Sequence, residues 1–386
     1  MTERYDYAVV GLGALGSATA YQLAKRGHSV LGLEQFELGH RRGASHDTSR
    51  ILRHSYHTPE YVDLTVEAYD DWARLEEESG ERLVTKVGGL DLFPRGAAIP
   101  MDDYTGSLDA IGIPHLLLDP VEIAGRWPQF SLPDGTVGLY QERGSIVPAG
   151  PATALMQSLA AGHGAVLRDR TPVTGVVDHG AAGVEVRAGD TTYRCGALVV
   201  CADAWTNDVL AHLGHQIPLT VTLEQATYFA PDDPSRFAPD ALPLWIWMDE
   251  PSFYGFPCYG EPTVKAAQDC GGPAVDPETR GSDPDPAMEE LLAAHMARML
   301  PGSGRPVRSL RCQYTLPPDR DFVIDRVPGH PSVVVGLGAG HGFKFAPTFG
   351  RLLADLATGE RETISPTFGF DRPALTDPAY VANWLV

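Results

Sequence analysis

Two glycine-rich segments and a run of cations between them carry most of the chemistry that this chain's residues allow. The first is Gly11-Leu12-Gly13-Ala14-Leu15-Gly16, preceded by the apolar Tyr7-Ala8-Val9-Val10. An apolar-periodic stretch from Ser17 to Arg26 follows, and then Val30-Leu31-Gly32-Leu33-Glu34. Strand, glycine loop, helix, strand and acid in that order read as a dinucleotide cradle. Gly11 permits the tight turn off the first strand, Gly13 lets the backbone approach a pyrophosphate, and Gly16 lets the helix pack close to the sheet. The free N–H groups and dipole of the helix start bind a diphosphate, while Glu34 accepts from a ribose 2′-hydroxyl and repels a 2′-phosphate. The ADP half is common to NAD and FAD, so the fingerprint leaves that choice open.

The second segment is Leu337-Gly338-Ala339-Gly340-His341-Gly342-Phe343-Lys344, which follows the apolar Ser332 to Gly336. Glycines there permit close backbone approach, and a lysine near a helix start opposes the usual preference for acids, so an anion is expected beside Lys344. Between the two segments lie Arg41, Arg42, His46, Arg50, Arg53 and His54. Arg50 and Arg53, three apart, are spaced for one helical face.

The elements that must position these residues follow from periodicity and breakers. Helices are expected over about 59–80, 101–112, 120–127, 151–162, 205–213, 287–299 and 347–357. Strands are expected over 86–93, 173–177, 184–188 and 191–195, the last leading into the apolar run 197–201. From 218 to about 259 the pattern is strand-like and aromatic, as in an inserted sheet with an aromatic face, and the Gly/Pro/Asp-rich stretch 271–285 is a loop. With a strand, glycine loop and helix at each end of the chain, the nucleotide domain is discontinuous and a substrate domain is inserted between its pieces.

At 386 residues the chain is long enough for two or three domains. Its formal charge of −20 argues against a nucleic-acid partner, so an anionic substrate needs a local cationic pocket. No stretch reaches the roughly 18 to 20 apolar residues of a membrane helix, and Glu3, Arg4 and Asp6 do not fit a signal peptide. A cytoplasmic protein is expected. Five cysteines without CxxC spacing fit reduced thiols, and thirteen histidines without HExxH give no metal site.

Several motifs together resemble the monomeric sarcosine oxidase and N-methyltryptophan oxidase family, within the glycine oxidase and D-amino-acid oxidase superfamily. The resemblance covers nearly the whole chain. It rests on the first glycine loop with Glu34, on the segment from Ser45 to His54, on Phe253-Tyr254-Gly255-Phe256-Pro257 and Lys265, on Arg311-Cys312-Gln313-Tyr314-Thr315, on the run from Pro318 to Asp325, and on Gly340-His341-Gly342-Phe343-Lys344. It implies an α/β fold, an FAD-binding Rossmann-like domain (1–85, 145–217 and 312–386) with an inserted α+β substrate domain on an antiparallel sheet (86–144 and 218–311).

The implied cofactor is FAD, contacted by Gly11, Gly13, Leu15, Gly16, Glu34, Ser45, Thr48, Gly340, Gly342, Phe343 and Lys344. Cys312 is similar to the cysteine that forms a thioether to the flavin. Such a tether needs a thiolate, which Arg311 or the Arg50 region could promote. Arg53 and Lys344 are implied to hold the substrate carboxylate, as a bidentate partner and a point charge. Lys265 is implied to lie over the flavin and serve the reaction with oxygen, Arg50 to be a flavin-proximal cation with His46 beside it, and Tyr254 and Tyr314 to line the substrate cavity. Two positions depart from the family pattern: Asp269 stands where a histidine is usual, four residues after the lysine, and Asp203 where a glycine precedes Ala204-Trp205. A carboxylate near the amine favours a cationic or more polar substrate, unless it turns outward.

The expectation is an FAD-dependent oxidase of a secondary amino acid, most simply an N-methyl amino acid, with hydride transfer to flavin N5, imine hydrolysis and reduction of O2 to H2O2. A cyclic imino acid such as pipecolate or proline, N-methyltryptophan or a biosynthetic intermediate keeps the chemistry and changes the side chain. From other classes come a flavin-binding dehydrogenase or non-catalytic module without oxygen turnover, and a nicotinamide dehydrogenase. The partners are a small amino acid and O2, with no nucleic acid, membrane or metal, and the chain is expected to be a monomer.

Overall fold

The computed structural model describes residues 2–385. The apolar run Tyr7–Val10 sits in the strand Thr2–Val10, which lies between two parallel neighbours, Val30–Leu33 and Thr191–Val200. Burial on both faces follows from the two-residue period of a strand. Val9, Val199 and Val334 enter one core with the helices Ala14–Lys25, Ala149–Gly162 and Ala346–Thr358. Ala8, Val10, Leu198, Val200, Val333 and Val335 enter a second core on the opposite face.

The expected strand 191–195 and the apolar run 197–201 form one strand, Thr191–Val200, with a divided outer edge. Its first half pairs antiparallel with Val184–Ala188 and its last residues pair parallel with His330–Leu337. The sheet therefore branches, and residues from both ends of the sequence meet in it. The helix Ala14–Lys25 packs against Ala346–Thr358 so closely that a Cβ on Gly350 would stand 2.5 Å from the Cβ of Ala18.

A second eight-stranded sheet takes its strands from 89–141 and 220–316, in the order Arg305–Leu316, Thr220–Ala230, Val264–Gln268, Phe253–Phe256, Leu244–Trp247, Gly89–Phe93, Val137–Gln141, Leu116–Leu118. It is antiparallel except where Leu244–Trp247 runs parallel to Gly89–Phe93. Alternation divides its two faces. Leu90, Leu92, Trp245, Phe253, Val264 and Ala266 pack under the helix Pro286–Met299, whereas Ile246, Tyr254, Lys265, Cys312 and Tyr314 face a cavity.

Local signals placed most helices to within two residues. Pro59–Ser79 starts on Thr58, whose hydroxyl caps Tyr61 N–H, and ends on the left-handed Gly80. Two expectations fail. The strand 86–93 is two strands, Thr85–Lys86 in a small three-stranded sheet and Gly89–Phe93 in the large one, because Gly88 turns the chain at φ 79°. Arg50 and Arg53 share no helical face: Arg50–Leu52 is a strand paired with Ser145–Val147, and the two side chains find different partners.

Candidate functional site

A cavity of about 780 Å³ runs from the first glycine loop to the face of the second sheet. Of the residues that sequence reading put forward, Gly11, Gly13, Leu15, Glu34, Ser45, His46, Thr48, Arg50, Arg53, Tyr254, Lys265, Cys312, Tyr314, Gly340, Gly342, Phe343 and Lys344 all line it. Gly16 does not. It lies behind the loop, where a Cβ would come within 1.8 Å of the Gly11 carbonyl oxygen.

The nucleotide end is built for a close backbone approach. Gly11 has φ 87°, and a Cβ there would stand 2.4 Å from the Cys201 carbonyl oxygen. Gly13 has no side chain to cap the helix, and the Ala14 N–H at the helix start is met instead by Ser45 Oγ, which accepts from it at 2.9 Å. Glu34, at the tip of Val30–Leu33, is buried. Burial opposes its charge, but His40 and the N–H groups of Leu12 and Phe36 outweigh that and hold it below the usual carboxylate range. It is thus an ionised acceptor beside the loop, the state that a ribose hydroxyl requires.

At the opposite end Gly340, at φ 77°, lies against the Tyr314 ring, where a Cβ would meet ring carbons at 2.9 Å. Tyr314 and Tyr254 bring their hydroxyls to 3.4 Å. The Gly342–Phe345 turn is anchored by the indole of Trp72, which donates to the Lys344 carbonyl at 2.7 Å. Lys344 Nζ is thereby placed 2.8 Å from Tyr56 Oη and 2.9 Å from the His341 carbonyl oxygen.

Three basic side chains converge here and two have carboxylate partners. Arg53 Nη1 donates to Asp91 at 2.9 Å, and Ser55 also donates to that carboxylate. Arg320 binds both oxygens of Asp269 at 2.8 Å. Asp269 therefore does not turn outward: it lines the cavity with its charge matched by Arg320 and each oxygen accepting one guanidinium N–H. Among the described residues no carboxylate meets Lys344 Nζ, and burial together with Arg53 and Arg320 pushes its pKa well below the usual lysine value.

Lys265 is held differently. Its Nζ lies 2.6 Å from Asp47 and donates to Ser49 O at 3.0 Å and Ser49 Oγ at 3.2 Å. Burial brings it down to about 8 in spite of the adjacent carboxylate. Asp47, at φ 80°, also accepts from Tyr228, whose hydroxyl meets Thr48 Oγ1 at 3.0 Å.

Arg50 turns back onto its own loop, donating to Ser49 O, Ala44 O and His46 O. The His46 ring is buried with Nε2 unpartnered, and burial and Arg50 lower it to about 4, so it is neutral. Cys312 meets the cavity, but burial, against the pull of Arg50, pushes its thiol up to about 11. Arg311 cannot promote a thiolate there. It occupies the opposite side of the strand, donating to Gln225 and the Leu223 carbonyl. Asp203, the other departure, is half-buried at φ 47°, with its Oδ2 atom buried and unpartnered.

Sequence reading gave no role to Asp47, Tyr56, Asp91, Arg320 or His341. Asp47, Arg320 and His341 stood inside the family motifs, but their roles depend on partners distant in the chain: Lys265, Asp269 and Tyr56. Nothing near Asp91 marked it, since its partner is 38 residues away in the chain.

The chain matches the model of the family described as DAO, FAD dependent oxidoreductase, over residues 6–356. It is 36% identical over 366 residues to a monomeric sarcosine oxidase from Streptomyces avermitilis, covering 92% of this chain and 94% of that protein. With a monomeric sarcosine oxidase from Bacillus sp. (strain B-0618) it shares 31% over 385 residues, 98% of each. Among solved structures, the open form of NikD, an unusual amino acid oxidase essential for nikkomycin biosynthesis, superposes with a TM-score of 0.84 at 29% identity, covering 95% of this chain and 97% of that one.

Proposed function

The chain belongs to the DAO family of FAD-dependent oxidoreductases, and from that premise we propose that it is an oxidase of secondary amino acids, most simply of an N-methyl amino acid. One observation carries the substrate class: Lys344, a buried lysine without a carboxylate partner among the described residues, opens onto the cavity that contains the dinucleotide cradle. A substrate carboxylate supplies the missing partner, and each charge-assisted hydrogen bond contributes roughly 1.5 to 3 kcal/mol. Arg53 offers its Nη2, for which no protein acceptor is present among the described residues, while Asp91 and Ser55 orient the guanidinium through Nη1.

The residues present fit FAD. Gly11, Gly13 and the helix start take the diphosphate, ionised Glu34 takes the ribose, and Ser45, Thr48, Gly340, Gly342, Phe343 and Lys344 lie along the rest of the cavity. Bound FAD supplies the two-electron acceptor for amine oxidation and passes the electrons to O2, giving H2O2. Tyr254 and Tyr314 close the substrate space with ring faces and polar tips. Lys265 is the fixed cation for the oxygen step, with Arg50 and neutral His46 forming the wall beside it. Cys312 is the residue that would hold the cofactor through a thioether, which needs its thiolate form, and burial keeps that fraction small by pushing the thiol up to about 11.

The division of labour follows the two sheets. Residues 1–85, 145–217 and 312–386 hold the cofactor, and 86–144 with 218–311 shape the substrate side; the origin of the strands supports this division except at Arg305–Leu316, which crosses it within the second sheet. Among the described residues no helix is long and apolar enough to cross a membrane; a cytoplasmic monomer completes the proposal. The test is an aerobic peroxide assay over N-methyl and cyclic secondary amino acids with matched primary amines and amide analogues. Turnover of amides as fast as acids would refute the carboxylate reading, and absence of peroxide with flavin reduction intact would favour a dehydrogenase.

A further inference from the structure

Lys344 has the hydrogen-bond surroundings of an amine rather than an ammonium. The Arg320 carbonyl, which can only accept, faces His341 Nε2 at 3.1 Å, so that nitrogen carries the proton. Burial, with the Arg320 guanidinium nearby, lowers the His341 ring well below its usual value and leaves it neutral, with Nδ1 an acceptor. Tyr56 therefore donates to Nδ1 at 3.0 Å, and its oxygen is free to accept from Lys344. The second acceptor of Nζ is the His341 carbonyl. Two protein acceptors match the two N–H groups of a neutral amine and leave its lone pair toward the cavity; an ammonium would turn a third N–H there, where no side chain or carbonyl among the described residues accepts it.

Charge balance points the same way. The charged and titratable groups facing Lys344 are Arg53, Tyr56 and His57 from the segment after Arg50–Leu52, Asp269 and Arg320 from the opposite wall, and His341 on its own loop, with Asp91 and Tyr104 behind Arg53. Both guanidiniums are already matched one to one by Asp91 and Asp269. Before a substrate carboxylate arrives, a charged Lys344 would be a buried cation with no carboxylate of its own, a state that burial disfavours.

We propose that Lys344 is a neutral amine in the substrate-free enzyme and becomes an ammonium when a substrate carboxylate arrives, so that the site takes up the proton which the substrate's own ammonium must give up. The inference rests on the carboxylate reading above and adds the proton to it. The balance is a zwitterionic secondary amino acid plus lysine amine giving an amino acid with a free amine and carboxylate plus lysine ammonium. One N–H bond breaks, one forms, and no electrons move. The zwitterion that predominates in solution thus binds without net proton release, yet is held in the one form from which hydride can leave, a nitrogen with its lone pair available.

The test uses the FAD-loaded enzyme and two carboxylates that lack an amine, acetate and cyclopentanecarboxylate, which isolate the proton taken up. Calorimetric titration in buffers of different ionisation enthalpy should show uptake of about one proton per carboxylate bound near pH 8, with affinity falling about tenfold per pH unit as pH rises. Lys344→Arg keeps a cation that does not deprotonate, so it should bind these anions with no proton uptake and a flat pH dependence. Binding to wild type without proton uptake would overturn the proton inference and leave the carboxylate site intact. Uptake that persists in Lys344→Arg would assign the proton to another group and also overturn it. If neither anion bound wild type, the carboxylate reading itself would fall, and the inference with it.

Discussion

Asp47→Asn should shift the pH at which the reduced enzyme loses its reactivity with oxygen. The carboxylate lies 2.6 Å from Lys265 Nζ and both side chains are almost fully buried. At an effective dielectric near 20, two unit charges about 4 Å apart attract by roughly 4 kcal/mol, and even a third of that corresponds to about one pKa unit. Lys265 stands at about 8 with Asp47 ionised, so its ammonium should titrate near 7 or below in the variant. Lysine loses its charge as pH rises, hence reoxidation should be about fivefold slower than wild type near pH 8, approach tenfold slower above pH 9, and converge with wild type near pH 6. Asparagine tolerates the φ of 80° and keeps an oxygen for the Tyr228 hydroxyl, so backbone and packing are preserved. The measurement mixes anaerobically reduced enzyme with oxygen in a stopped flow and follows flavin absorbance across pH. Superimposable profiles, or an equal slowing of flavin reduction by substrate, would refute the assignment of Asp47 and Lys265 to the oxygen step.

Wild-type protein should retain yellow colour after acid precipitation and Cys312→Ser should release all its flavin. In apoprotein reloaded with FAD, tether formation should accelerate as pH rises toward about 11, where the thiol ionises, and a pH-independent rate would contradict thiolate attack. Lys344→Met should weaken simple carboxylate inhibitors about tenfold to a hundredfold in calorimetry, while unchanged affinity with normal flavin content would remove the pocket. Arg53→Met should lower thermal stability as well as binding, because it strands buried Asp91 at a cost of about 3 to 5 kcal/mol; adding Asp91→Asn should restore the melting temperature and leave binding impaired. Gly16→Ala places a methyl 1.8 Å from a backbone oxygen and should abolish FAD retention, whereas Gly106→Ala, in open space on the helix Met101–Ile111, should keep it and add up to about 1 kcal/mol of stability.

What could be read from the chain was local. The first glycine loop announced itself because its strand, turn, helix and acid are contiguous, and Glu34 lies where a parallel neighbour must end. Lys344 was legible as a cation in search of an anion, since glycine spacing and helix polarity are sequence properties. Its pairing was not. Asp269 looked available to a substrate until folding brought it to Arg320, 51 residues onward, and Asp47 became the partner of Lys265 across 218 positions. Arg50 and Arg53 show the opposite failure: a spacing that suits a helix was realised in a strand, because Ser145–Val147 supplied the ladder. Long-range pairing decides which charges are spent on the protein and which remain for a ligand.

The branched strand Thr191–Val200 has a consequence in time. Its outer edge closes only when His330–Leu337 arrives, and the cradle helix gains its close neighbour only with Ala346–Thr358. Translation at about 5 to 20 residues per second puts roughly 15 to 60 seconds between emergence of the first glycine loop and emergence of these last partners. For that interval the nascent chain exposes an apolar strand and helix face without their cover, a window for chaperones and for misassociation. Non-local closure of this kind is also slow once the chain is free. Cofactor capture is therefore expected to follow release of the C-terminal segment, so flavin supply governs yield at the end of synthesis rather than during it.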